Sequence, residues 1–292
     1  MPEKSIYIKP RMSEKASFIM ICLSVILMLV CTLLKGAAYT FSQQSGIELR
    51  IIMYHSILKD PSRTGVYVIT PSQLRSDFEY LSSKGYQTVL PRDLVGYVRG
   101  ETRLPAKCVM LTFDDGCYNN LTYLLPLLKE FSYTALISVV GKYTQLYTDS
   151  GDKNPNYAYL AYDDLLLLEQ SGLIEIGNHT YNLHNNGVLP GSGKANGENE
   201  SAYQTRLEND LMLLQRELEK NGLTKPLCYT YPFGIISNAS LDAVKRCGFR
   251  VSLSCREKTN IITKDPECLF LLNRYNRSGL TDTASFMKKL GI

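Results

Sequence analysis

Between residues 49 and 273, short apolar runs alternate with helical patterns, and several runs show no polar alternation. Such runs suit strands covered on both faces, as in a parallel sheet flanked by helices. The strand candidates are residues 49–55, 86–90, 108–113, 134–140, 173–176, 227–231, 249–254 and 269–273. Between the first two, Thr70-Pro71-Ser72-Gln73 reads as an N-cap, a first-turn proline and a capping-box glutamine. Leu74, Phe78 and Leu81 continue it at helical spacing. Residues 121–131 (with Pro126 as a kink or split), 163–170, 201–221 and 240–247 are further helices, and 185–199 reads as an exposed Gly/Asn-rich loop. About 250 residues of this alternation is the size of one β/α barrel, whose reactive groups lie after the C-terminal ends of strands.

The N-terminus is different. Residues 17–34 carry no charge, behind a leader containing Lys4, Lys9, Arg11 and Lys15. That length suits a membrane-spanning helix better than a signal peptide. Gly36 and Ala38 keep open cleavage of residues 1–38, which would make the protein secreted. The reading is a cytoplasmic leader (1–16), a transmembrane signal anchor (17–35), a linker (36–47) and an extracellular domain (48–292), oriented by the positive-inside rule. Residues 1–35 hold five basic and two acidic side chains, a net +3 of the chain's +4. The near-neutral remainder excludes a nucleic-acid-binding electrostatic footprint. Six cysteines lie beyond the apolar run, with no zinc-ribbon spacing, and are read as mostly unpaired thiols.

The chain has three histidines and no tryptophan. Three segments collect chemistry at strand ends. Thr112-Phe113-Asp114-Asp115-Gly116 stops an apolar strand at two carboxylates and a glycine, which is either a plain Asp-Gly turn or a metal and proton-transfer site. Adjacent strand residues face opposite ways, so both carboxylates enter one site only where the strand breaks. His179 and His184, in His179-Thr180-Tyr181-Asn182-Leu183-His184, are five apart. On a helix they would diverge by about 140°, and on a strand they would take opposite faces. They converge only if the segment turns. Tyr231-Pro232-Phe233-Gly234 is a stiff turn after a third strand. His55 ends a fourth.

Together these segments resemble the polysaccharide deacetylases of carbohydrate esterase family 4, the NodB-homology proteins. Thr112–Gly116 matches the first motif of that family, and His179–His184 matches its histidine motif in a longer H-x4-H spacing. With the Tyr54-His55 strand near the N-terminus, this looks like the circularly permuted branch that deacetylates poly-N-acetylglucosamine. The resemblance implies a distorted β/α barrel of the NodB type. It implies one divalent metal, Zn²⁺ first with Co²⁺, Ni²⁺ or Mn²⁺ as alternatives, on Asp115, His179 and His184. It implies Asp114 as general base and His55 as general acid for the departing sugar amine. It also implies oxyanion stabilisation at the Phe233 backbone, with Pro232 and Tyr231 beside it. The expected substrate is an N-acetylglucosamine polysaccharide outside the cell. Two departures stand out. The base-orienting arginine of the third motif is replaced by Thr230 or Tyr231, and no tryptophan walls the cleft, for which Tyr162 is the substitute candidate. These departures motivate two alternatives: a catalytically weak glycan-binding protein on the same fold, or a related hydrolase of small amides.

Overall fold

The computed structural model describes residues 18–32, 46–185 and 191–292. The chain divides into two units, Met1–Gly46 and Ile47–Ile292. In the first, α1 covers residues 18–32 with exposed side chains. Among the described residues no helix is long and apolar enough to cross a membrane. Of the expected anchor only residues 18–32 are described; its residues 17 and 33–35, like the leader, lie outside the described residues.

The second unit is the α/β domain. Its strands in chain order are β1 (Ile47–Tyr54), β2 (Ser56–Ile57), β3 (Val68–Ile69), β4 (Gln87–Thr88), β5 (Cys108–Phe113), β6 (Ala135–Val139), β7 (Ile174–Asn178), β8 (Cys228–Thr230), β9 (Val251–Leu253), β10 (Asn260–Ile262) and β11 (Tyr275–Asn276). Its helices are α2 (Pro71–Ser83), α3 (Pro91–Arg99), α4 (Leu125–Phe131), α5 (Gly141–Ser150), α6 (Tyr162–Gln170), α7 (Glu200–Lys220), α8 (Ser240–Arg246) and α9 (Thr283–Leu290). The main sheet runs β10-β1-β5-β6-β7-β8-β9, with β11 on β1 and β4 on β5. Every pairing in it is parallel except β1 with β10. Leu272 bridges Leu253 at one edge, and Tyr275 pairs with Ile52 near the other. One extended segment thus joins the two sides of an incomplete, distorted barrel.

The unalternated runs are buried as expected: all six residues of β5 and all five of β6 are buried. α2 begins with the capping box, Thr70 accepting from the Gln73 backbone and Gln73 accepting from the Thr70 backbone. The helix expected at 121–131 is split, with a π-turn at Asn120–Leu124 running into α4. Pro126 has no N–H to donate and sits at the start of α4, where none is needed. Two other expectations are corrected. Residues 269–273 make only the Leu272 bridge, because Leu271 takes a left-handed φ of 58° that breaks a strand. The loop before α7 is not wholly exposed: Gly191, Ser192 and Gly193 are buried, and a Cβ on Gly191 would sit 2.8 Å from the Pro232 carbonyl oxygen. Residues 186–190 lie outside the described residues. α3, α5 and α9 were not anticipated. All eight cysteines are free thiols.

Candidate metal centre and cleft

Parallel strands all present their C-terminal ends to one rim, and there β1, β5, β7 and β8 each stop at an unusual segment. An open cavity of about 180 Å³ lies on that rim, lined by Met53, His55, Tyr67, Asp114, Asp115, His179, His184, Phe233 and Cys255.

The two aspartates share the cavity because the strand breaks one residue earlier than glycine alone would require. Asp115 itself is left-handed (φ 72°), followed by Gly116 in the same region. Asp tolerates that conformation better than most residues. A Cβ on Gly116 would approach Val139 Cγ1 to 2.9 Å, so a side chain there is excluded as well as strained. The histidines converge by a similar device. Thr180 has φ 74°, a rare state for a β-branched residue. It turns the chain so that His179 Nε2 and His184 Nε2 lie 3.6 and 3.3 Å from Asp115 Oδ1. The three donor atoms lie within 4.8 Å of one another.

These are not salt bridges. Burial pushes His179 down to about 3, against the pull of Asp114, and burial also pushes His184 down. Both rings are neutral at physiological pH, with lone pairs to offer. His179 Nδ1 lies 2.8 Å from the Thr230 carbonyl, so the ring donates there and leaves Nε2 free as a ligand. Burial pushes Asp115 up to about 6, with His55 opposing and the Asp114 charge adding. Asp115 Oδ1 is buried and has no hydrogen-bond partner. An orphaned carboxylate oxygen facing two imidazole lone pairs lacks a positive partner, and a divalent cation would supply one. Two imidazoles and a carboxylate are also a donor set that leaves coordination positions for water and substrate.

Asp114 is held apart from that group. Arg274 grips it in a fork, Nη1 to Oδ1 at 2.7 Å and Nη2 to Oδ2 at 2.9 Å. Burial alone would raise Asp114, but Arg274, joined by His179 and His55, more than offsets it and holds the carboxyl far below the usual range. Arg274 is itself fully buried, donating to Thr112 Oγ1 and the Ser254 carbonyl. The sequence reading missed it. Its signal was available: Arg274 directly follows the run 269–273 that the sequence marks as a strand, so on that reading it is another polar residue at a run's end.

His55 also lines the cavity, its ring 4.7 Å from that of Tyr67. Asn120 Nδ2 donates to the His55 carbonyl, and Asn119 holds the next two residues through Ile57 N and Ser56 Oγ. Phe233 has φ 56° and packs its ring 4.4 Å from His184. Three expected cleft residues stand elsewhere. Tyr162 is 3% exposed and packs in the hydrophobic core from the first turn of α6, so it cannot wall the cleft. Tyr231 is fully buried, its hydroxyl 2.9 Å from Ser240 Oγ. Pro232 is buried beside Gly191. The exposed aromatic rings at the cavity are Tyr67 (56%) and Phe233 (44%).

A cation-ready carboxylate and two histidines, flanked by an arginine-held carboxylate and a third imidazole, define a hydrolytic metal-site architecture on the rim of a barrel-like α/β fold. Comparison with known proteins makes this specific. The family described as polysaccharide deacetylase matches residues 101–252, and the chain belongs to it. That family is a group of hydrolases acting on carbon–nitrogen bonds. The chain is 25% identical over 217 residues to the poly-beta-1,6-N-acetyl-D-glucosamine N-deacetylase of Escherichia coli K12, covering 68% of this chain and 32% of that protein. It is 23% identical over 193 residues to the Staphylococcus aureus (strain MSSA476) protein of the same name, covering 66% and 62%. The chain therefore spans less than two thirds of these relatives' lengths. Among solved structures, a de-N-acetylase from Aggregatibacter actinomycetemcomitans superposes with a TM-score of 0.69 at 24% identity, covering 83% of this chain and 99% of that one. IcaB from Ammonifex degensii gives 0.65 at 22%, covering 84% and 96%. These structural likenesses establish the NodB-type fold.

Proposed function

We propose that this protein is a metal-dependent N-deacetylase of an N-acetylglucosamine polymer, with poly-β-1,6-N-acetylglucosamine as the favoured substrate. The observation that carries the reading is the meeting, in one cavity, of Asp115 Oδ1, His179 Nε2 and His184 Nε2 with an ionised Asp114 and with His55. The substrate is inferred from the names of the relatives.

Asp115, His179 and His184 would hold the cation. When bound, it would polarise the acetamide carbonyl and ease deprotonation of water. Asp114 takes that proton at its carboxylate. Arg274 keeps Asp114 ionised and fixes its orientation, so the base needs no rearrangement to act. The water oxygen adds to the carbonyl carbon to give a tetrahedral oxyanion; when the C=O re-forms the C–N bond breaks, and the amine leaves only if its nitrogen is protonated. His55, which lines the same cavity, is the donor. The Phe233 backbone N–H is the candidate partner for the developing oxyanion. Tyr67 offers a ring face on which a pyranose can pack.

The alternative of a catalytically weak glycan-binding protein drew on the missing motif arginine and tryptophan; the Arg274 fork on Asp114 and the exposed Tyr67 ring weigh against it. The test is acetate release by the full chain from poly-β-1,6-N-acetylglucosamine, chito-oligomers and peptidoglycan, with Zn²⁺ or Co²⁺ and after chelation. Release that a chelator abolishes and metal restores supports the reading. A protein that binds metal yet releases no acetate from any of the three glycans sinks it.

A further inference from the structure

The two histidines of the site are held differently. His179 is fixed through its own ring, by the Thr230 carbonyl. His184 lies five residues on, beyond the left-handed turn at Thr180, and its place depends on the backbone between them. That backbone is gripped from two sides: the Gly141 and Lys142 N–H groups at the start of α5 donate to the Thr180 and Tyr181 carbonyls, and α7 takes the N–H groups. Asp210, on α7, accepts the Tyr181 N–H at Oδ1 (2.7 Å) and the Asn182 N–H at Oδ2 (2.9 Å). The next residue, Leu211, gives its carbonyl to Asn178 Nδ2 at 3.0 Å, while Asn178 Oδ1 accepts the Thr180 N–H at 2.9 Å. Thr180 Oγ1 then accepts the Leu183 N–H at 3.2 Å. Every N–H from Thr180 to Leu183 is therefore met by a side-chain oxygen, and the central two belong to Asp210.

We infer that Asp210 is a positioning residue for the metal centre, setting His184 by clamping both N–H groups at the apex of the H-x4-H loop. The inference rests on the metal reading above. A carboxylate suits the task because it has two oxygens, each charged enough for a short bond, and it reaches them from a rigid helix. The left-handed turn at Thr180 needs such support, since strained backbone persists only where its surroundings over-determine it. Without Asp210, the half-buried Tyr181 N–H and the exposed Asn182 N–H lose their shared acceptor and the loop can relax away from the ligand geometry. Groups that orient metal ligands without touching the metal are worth about 10–100-fold in affinity.

The experiment measures Zn²⁺ affinity of the full chain by competition with a chromophoric chelator, alongside the visible spectrum of the Co²⁺ form. Asp210→Ala is expected to weaken Zn²⁺ binding about tenfold or more and to alter the Co²⁺ spectrum. Asp210→Asn, which keeps one acceptor oxygen, should fall between it and wild type, and it carries the test if the alanine variant does not fold. Leu207→Ala, a fully buried change on the same helix, should lower Tm while leaving Zn²⁺ affinity within about twofold of wild type, which separates ligand positioning from general helix stability. An Asp210 variant that folds and binds Zn²⁺ as wild type does would overturn the inference alone. Wild type that binds no metal would overturn the metal reading and this inference with it.

Discussion

Two buried aspartate–arginine forks, drawn from one C-terminal stretch, do opposite work. Arg274 holds Asp114 on the cavity, and Arg277, three residues later, holds Asp77 of α2 in the interior. Both arginines are almost wholly buried and both contacts are bidentate. What differs is how much of each carboxylate is used up. Asp77 also accepts from Tyr54 Oη at 3.1 Å and Thr283 Oγ1 at 2.7 Å, so its lone pairs are filled from four directions. Burial there outweighs Arg277, and Asp77 is raised above the usual carboxylate range. Asp114 takes only the arginine fork and lines a cavity, and Arg274 with two nearby imidazoles holds it far below that range. A saturated pair is a strut. An unsaturated pair facing an opening is a base held ready.

The comparison is broken most sharply by removing the base. Asp114→Asn should lower kcat by about 10²–10⁴-fold while leaving metal content unchanged, as metal analysis of the purified variant will report. Arg277→Leu should do the reverse. It strands the Asp77 carboxylate and should cost about 3–5 kcal/mol of stability in chemical denaturation, with acetate release per folded molecule close to wild type. Replacing both partners, Asp77→Leu with Arg277→Met, should recover most of that loss, since a buried pair is often no better than apolar side chains of similar volume.

Arg274→Gln tests the electrostatic half of the contrast. Without the guanidinium, burial dominates and Asp114 binds its proton at higher pH. The acid limb of the kcat/KM profile should therefore move up by about one unit or more. An unmoved limb would mean that Asp114 is not the group titrating. A smaller effect is expected at the mouth of the cavity. Tyr67→Ala should raise KM for an N-acetylglucosamine oligomer by about three- to tenfold with kcat little changed, matching the ~0.5–1.5 kcal/mol of one ring contact. The smallest lies at the opposite end of the sheet, where Glu175 sits near Arg92 with burial pushing it up to about 7. The folded chain there keeps a proton that the unfolded chain loses near pH 4.5, so stability falls as pH rises through that window. Glu175→Gln should raise Tm by a few degrees at pH 8 and by less at pH 5.

The parts legible in the sequence were those written locally. Unalternated apolar runs marked β5 and β6, a short run broken by Glu175 marked β7, and the Thr70–Gln73 capping box marked the start of α2. The strand-end residues His55, Asp114, Asp115, His179 and His184 were legible because each follows such a run, and all five line one cavity. The misreadings share a cause. Tyr162 is the aromatic that the sequence offers in place of a cleft tryptophan, but its place on the first turn of α6 points it into the core. Arg274 was overlooked because no local pattern ties it to Asp114, 160 residues away. Residues 269–273 looked like a strand because apolar content does not reveal the left-handed turn at Leu271.

By itself, then, the sequence determined the alternation of buried strands and covering helices, the inventory of chemical groups and their placement at strand ends, since these depend only on burial and backbone preference along a few consecutive residues. The tertiary structure decided which groups meet. It brought Arg274 to Asp114, Tyr67 to His55 and Asp210 to the loop between the histidines. Those pairings depend on how a parallel sheet curls and which distant segments its rim gathers. No local preference specifies that, because the free energy is gained only when segments far apart in the chain pack together.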